Sequence, residues 1–99
     1  VIEMPQDKIT LFKTTTCEKC KIASFILGRT LESMGIPYDS QVKERFVDTD
    51  TNAMVDMMML NSIDAPVLVI GETVLRVDEA TNAKLIKEAL IKNGQGQQQ

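Results

Sequence analysis

The segment Val67-Leu68-Val69-Ile70 is a run of four apolar residues, entered through Pro66 and followed by Gly71-Glu72. A short run with no polar alternation reads as a strand buried on both faces. Such a strand needs a packing layer above it and another below, which points to an α/β arrangement of helices on a sheet. Gly71-Glu72 is a tight hairpin turn, so Thr73-Val74-Leu75-Arg76-Val77 returns as an antiparallel strand.

The remaining elements follow from periodicity. Residues 1–7 read as a loose leader. From Lys8 to Thr14 apolar and polar residues alternate, predicting a strand with Ile9 and Leu11 on one face and Phe12 on the other. Cys20, Ala23, Leu27, Leu31 and Met34 then recur at spacings of three and four, predicting a helix from Glu18 to Met34. Gly35 suits the position just past a helix end, and Pro37 cannot continue the helix. Gly28 inside it costs about 1 kcal/mol relative to alanine, and close approach to the sheet would account for it. Tyr38, Ser40, Val42, Glu44 and Phe46 share one parity and predict a second strand between Ile36 and Val47. Asp48-Thr49-Asp50-Thr51 supplies several N-caps for a helix over Asn52 to Asn61, whose buried face includes Met54, Met57, Met58 and Leu60. A last helix runs from Glu79 to Lys92, capped by Asp78, with Ala83, Ile86, Ala89 and Leu90 inside and Lys84, Lys87 and Lys92 outside. Asn93-Gly94 ends it, and residues 94–99 read as a flexible tail. The order is β-α-β-α-β-β-α: one domain over residues 8–93, with a four-stranded mixed sheet flanked by three helices.

Composition narrows the chemistry. The 99 residues include no histidine and two cysteines. That excludes Ser-His-Asp and Cys-His nucleophile systems and His-ligated zinc within one chain, and two cysteines cannot complete a Cys₄ site. Any chemistry must come from cysteine, carboxylate, lysine or a partner. A net charge of −3 argues against nucleic-acid binding. No apolar run approaches the roughly 18 residues that would span a bilayer. The first residues lack a basic stretch followed by an apolar one, so no export signal is expected and the expected location is cytoplasmic.

Cys17-Glu18-Lys19-Cys20 falls where a strand ends and a helix begins. A Cys17 at the N-cap or first helical position would have its sulfur near unpaired N–H groups and the positive end of the helix dipole, which favour the thiolate. Cys20 lies on the same side of the first turn and on the apolar stripe, so it is expected to be the more buried sulfur. Lys13, Lys19 and Lys21 lie close in sequence to Cys17, opposed by Glu18, and are expected to lend electrostatic support.

A strand, Thr-Thr-Cys-Glu-Lys-Cys opening a helix, a second βα unit, Ala65-Pro66-Val67 entering a buried strand, a hairpin and a closing helix together resemble the thioredoxin superfamily. The short form resembles glutaredoxins and the related small redoxins that reduce ribonucleotide reductase. The resemblance implies a thioredoxin-like, glutaredoxin-type fold in which the Ala65–Pro66 bond is cis and faces the disulfide. It implies that Ala65 offers backbone groups to a bound partner. Thr16, Glu18, Lys19, Val77 and Asp78 are the other expected substrate-binding residues. The pattern also departs from that family: its Gly-Gly pair after the second hairpin strand falls on Arg76-Val77, and its lysine three residues before the nucleophile falls on Thr14.

The resulting expectation is a monomeric thiol–disulfide oxidoreductase, with Cys17 as nucleophile and Cys20 as resolving residue. Its partners would be protein disulfides and a reductant, either glutathione or a protein reductase, with no bound cofactor, no nucleic acid and no membrane. The alternative is a soft-metal (Cu or Zn) carrier, or an iron–sulfur half-site, using the same two cysteines. Heavy-metal-associated domains have a β-α-β-β-α-β order, and here the hairpin follows the second helix.

Overall fold

The computed structural model describes residues 9–93; the leader at residues 1–7 and the tail at 94–99 lie outside the described residues. Strand β1 spans Ile9–Lys13 and leads into helix α1, Glu18–Ser33. A one-turn helix α2, Tyr38–Gln41, then enters β2, Val42–Phe46. Helix α3 covers Thr51–Met59, and the hairpin is β3, Val67–Ile70, with β4, Thr73–Arg76. A single 3₁₀ turn, Glu79–Thr81, precedes α4, Ala83–Lys92.

The four strands form one mixed sheet in the order β2-β1-β3-β4. β1 pairs parallel to β2, with Lys13 opposite Phe46, and antiparallel to β3, with Phe12 opposite Val67. β3 pairs antiparallel to β4, with Val67 opposite Arg76. This small α/β architecture is compatible with a thioredoxin-like fold.

The apolar run has the two-sided environment its composition requires. Leu68 and Ile70 join Ile9, Leu11, Ala23, Leu27, Leu31, Ile86 and Leu90 in the core under α1 and α4. Val67 faces the other way, with Phe12, Ala53 and Met57 under α3, and Val69 is half-buried beside them. Each fully buried leucine or isoleucine contributes about 1.5–3 kcal/mol of transfer free energy, so these two clusters hold the layers together. The α1 end closes as Gly35 implied. Gly35 has φ 74°, and the amides of Gly35 and Ile36 donate back to the Glu32 and Leu31 carbonyls.

Several boundaries differ from the sequence reading. Tyr38 and Ser40 are in α2 and not in a strand, so the period-two pattern holds only from Val42 onward. Among the described residues the helices therefore number four, plus the 3₁₀ turn, in place of three. Met58 is 52% exposed and does not belong to the buried face of α3; Met57 does. The last helix does not run unbroken from Glu79. Asp78 makes no capping bond, whereas the Asn82 side chain accepts from the Lys84 and Leu85 amides and starts α4. Ala83 is consequently exposed. Gly28 is not pressed against the sheet, since a Cβ there would meet only Tyr38 Cδ2, at an ordinary 3.9 Å.

Candidate functional site

Strand directions gather distant segments at one end of the sheet. The C-terminal ends of β1, β2 and β4 lie there beside the N-terminal end of β3. Four connections therefore meet: Thr14–Cys17 leading into α1, Val47–Asp50 leading into α3, Ala65–Pro66 before β3, and Val77–Asp78 after β4.

Cys17 is the N-cap of α1, with extended backbone at φ −98° and ψ 123°. Its Sγ accepts the Cys20 N–H at 3.0 Å, one of the amide donors that a helix start leaves without an intrahelical partner. Cys17 and Cys20 are joined as a disulfide with Cα atoms 5.2 Å apart. Cys17 is partly accessible while Cys20 is fully buried, because Cys20 lies on the α1 stripe that faces the sheet. The contrast in exposure follows from position along the helix: Cys17 caps its open end, whereas Cys20, one turn further in on the same side, shares the buried stripe with Ala23, Leu27 and Leu31.

Thr16, Glu18 and Lys19 are exposed around the pair. Lys19 Nζ lies 2.8 Å from Asp78 Oδ1, linking the first turn of α1 to the connection after β4. Lys21 Nζ is 3.9 Å from Glu18 Oε2. Lys13 points along the sheet, 3.5 Å from Glu44 and 5.4 Å from the centre of the Phe46 ring. Each of the three lysines counted around Cys17 thus has a carboxylate partner, which offsets much of the local positive charge.

The Ala65–Pro66 peptide bond is cis, as the resemblance implied, with Pro66 buried and Ala65 half-buried. The Pro66 carbonyl accepts the Val77 N–H at 2.7 Å, which fastens the start of β3 to the end of β4. Val77 has φ 50°, a left-handed conformation that is costly for a β-branched side chain. Arg76 donates from Nη2 to the Leu60 carbonyl at 2.7 Å, and its amide donates to Glu79 Oε1 at 3.0 Å.

Asp48 is the residue that sequence reasoning placed elsewhere, among the candidate caps of α3. Asp50 does that work, accepting from the Asn52 and Ala53 amides. Asp48 Oδ2 instead reaches across to the β1–α1 connection, accepting Thr15 N–H at 3.0 Å and Thr15 Oγ1–H at 2.7 Å. These bonds to the Thr15 hydroxyl and amide hold the carboxyl below the ordinary aspartate value. The signal was present in Asp48-Thr49-Asp50-Thr51, since one helix uses one N-cap and the sequence offers two aspartates.

Among the described residues, no helix is long and apolar enough to cross a membrane. Nor, among them, does any group of three or more Cys, Asp or Glu side chains come together as a metal site. Comparison with known proteins leaves the site to be read from its own geometry: the chain matches no family model, and no curated protein is significantly similar to it.

Proposed function

We propose that the chain is a thiol–disulfide oxidoreductase of the glutaredoxin-like kind, acting on protein disulfides. The observation that carries this reading is the placement of Cys17, the N-cap of α1, in a disulfide with the buried Cys20. A sulfur that accepts a helix-start amide and sits at the positive end of the dipole is stabilised as the thiolate, the nucleophile in exchange.

In the reduced protein, the Cys17 thiolate attacks one sulfur of the partner disulfide. The new S–S bond is a mixed disulfide, and the partner's other sulfur leaves as a thiolate that takes up a proton. Cys20 loses its proton and attacks Cys17 Sγ, releasing the partner's second sulfur. The partner gains two electrons and two protons, and the chain ends with the Cys17–Cys20 disulfide. An external dithiol or two thiols, from a protein reductase or glutathione, return it to the start. Thr16, Glu18 and Lys19 on one side, with Ala65, Pro66, Val77 and Asp78 on the other, form the rim against which the partner lies. Ribonucleotide reductase is a substrate of the small redoxins that the sequence resembles, and it is the first partner to assay.

The test is reduction of a model protein disulfide by the pre-reduced chain. Cys17→Ser is expected to abolish it, and Cys20→Ser to accumulate a mixed disulfide visible on a non-reducing gel. Full activity in Cys17→Ser would refute the reading. Stoichiometric Cu(I) binding by the reduced monomer, without reductase activity, would put a metal carrier in its place.

A further inference from the structure

The geometry points to Asp48 as a positioning residue for the Cys17 sulfur: it anchors the β1–α1 connection so that Cys17 arrives at the N-cap of α1. The inference rests on the reading of Cys17 as nucleophile and adds a residue from a different βα unit to it.

Only Thr14–Cys17 separates the last residue of β1 from the first of α1, and this connection must turn a strand into a helix with residue 17 in the capping conformation. Asp48 grips it at Thr15, two positions before Cys17, through one backbone and one side-chain hydrogen bond. The grip comes from a turn that is itself fixed at both ends. On one side the Val47 amide donates to the Lys13 carbonyl at 2.9 Å, continuing the β1–β2 pairing past Phe46. On the other, the Thr49 and Asp50 amides both donate to the Phe46 carbonyl, and Asp50 caps α3. The carboxylate is therefore held in place, and its two charge-assisted bonds specify where Thr15 lies. Thr15 in turn sets the path by which Cys17 Sγ comes to accept the Cys20 amide.

Anchoring and charge act on the Cys17 thiol in opposite directions. A nearby anion disfavours a thiolate, whereas holding the sulfur on helix-start amides favours it. Removing Asp48 therefore separates the two.

The experiment is the pH dependence of iodoacetamide alkylation of Cys17, in the full chain carrying Cys20→Ser so that one thiol reacts. Far-UV circular dichroism monitors folding. The parent thiol is expected to titrate below about 8.5, the value for a free cysteine. Asp48→Ala should raise that midpoint and slow alkylation below it by about two- to fivefold, the size of a helix-terminus effect. Asp48→Asn, which keeps an oxygen acceptor for Thr15, should restore most of the rate. Thr15→Val removes the hydroxyl donor and keeps the amide, so it should shift the midpoint the same way by less. It also decides the matter if Asp48→Ala fails to fold. An unmoved or lowered midpoint in folded Asp48→Ala and Thr15→Val overturns the positioning role while leaving Cys17 as nucleophile. A parent midpoint at the free-cysteine value would overturn the nucleophile reading itself.

Discussion

The two ends of the sheet are held together by different kinds of bond. At the cysteine end, connections are tied to one another through ionised side chains: Thr15 to Asp48, and Lys19 to Asp78. These groups are exposed, so solvent screens them and each is individually weak. At the hairpin end, neutral groups and shape dominate. Asn93 Oδ1 accepts the Glu72 amide, while its Nδ2 donates to Thr73 Oγ1 and to the Ala89 carbonyl, closing α4 onto the turn. Gly71 lies beneath that side chain with φ 61°. The exception at this end is one bond to a carboxylate: from α2 the Tyr38 hydroxyl donates to Glu44 Oε2 at 2.6 Å. The difference teaches that the hairpin end tolerates little substitution, whereas the cysteine end gives way to conditions. It also implies that the two ends respond to opposite extremes of pH.

The sharpest way to break this contrast is Gly71→Ala. A Cβ there would run into the Asn93 side chain, and the left-handed backbone adds about 1–2 kcal/mol. With a lost Asn93 hydrogen bond at about 1 kcal/mol, a destabilisation of about 2–3 kcal/mol is expected by urea denaturation. The corresponding fall in Tm is about 10–20 °C for a chain of this size. Cys17 alkylation in the folded variant should not change, and a parallel change would merge the two ends into one unit.

The alkaline limb comes next. Burial, then the hydrogen bond to Glu44, raises the Tyr38 pKa from 10.0 to about 12. The folded state holds this proton more tightly than the unfolded one. Its contribution is therefore whole below pH 10 and lost as pH rises towards 12. Tyr38 is the one tyrosine and there is no tryptophan, so phenolate absorbance reports this group alone. A midpoint near 10 in the folded chain would contradict the assignment, and Tyr38→Phe should remove the alkaline slope.

The smallest effect is in acid. The Thr15 bonds lower the Asp48 pKa from 3.8, so its contribution is present above the ordinary carboxylate range and fades as pH falls below it. Asp48→Asn should flatten the acid limb of a stability–pH curve while leaving the alkaline limb intact. An unchanged acid limb would mean that the cysteine end is not held by this charge.

Legibility from sequence followed the range of the interactions involved. Ile9, Leu11 and Phe12, the α1 stripe and the hairpin were readable because periodicity reports burial directly. Gly35 was readable because a left-handed helix end has few other solutions. Tyr38 misled because α2 is a single turn, too short to break the alternation seen from Tyr38 to Phe46. Asp78 misled for a related reason: a 3₁₀ turn separates it from the helix that Asn82 caps. The cysteine pair stood out as a local motif, and its disulfide followed. Asp48 was legible only as a spare aspartate beside the α3 cap; its partner Thr15 is 33 residues away, and nothing local names it. The partners of Lys13, Lys19 and Lys21 were equally invisible to a count of neighbouring charges.

The position of β3 in the sheet bears on how the chain is made. β3 pairs with β1 on the edge opposite β2, although it is synthesised after both. Emerging from the ribosome, β1, α1 and β2 can already pair, with both cysteines present and one edge of β1 open. Ala65, Pro66, Val77 and Asp78 reach them only with the hairpin that closes this edge. A nascent or truncated chain ending before Pro66 therefore carries both cysteines without the segments that flank them in the folded sheet. Docking of the hairpin onto β1 completes the cysteine end and the sheet in one step.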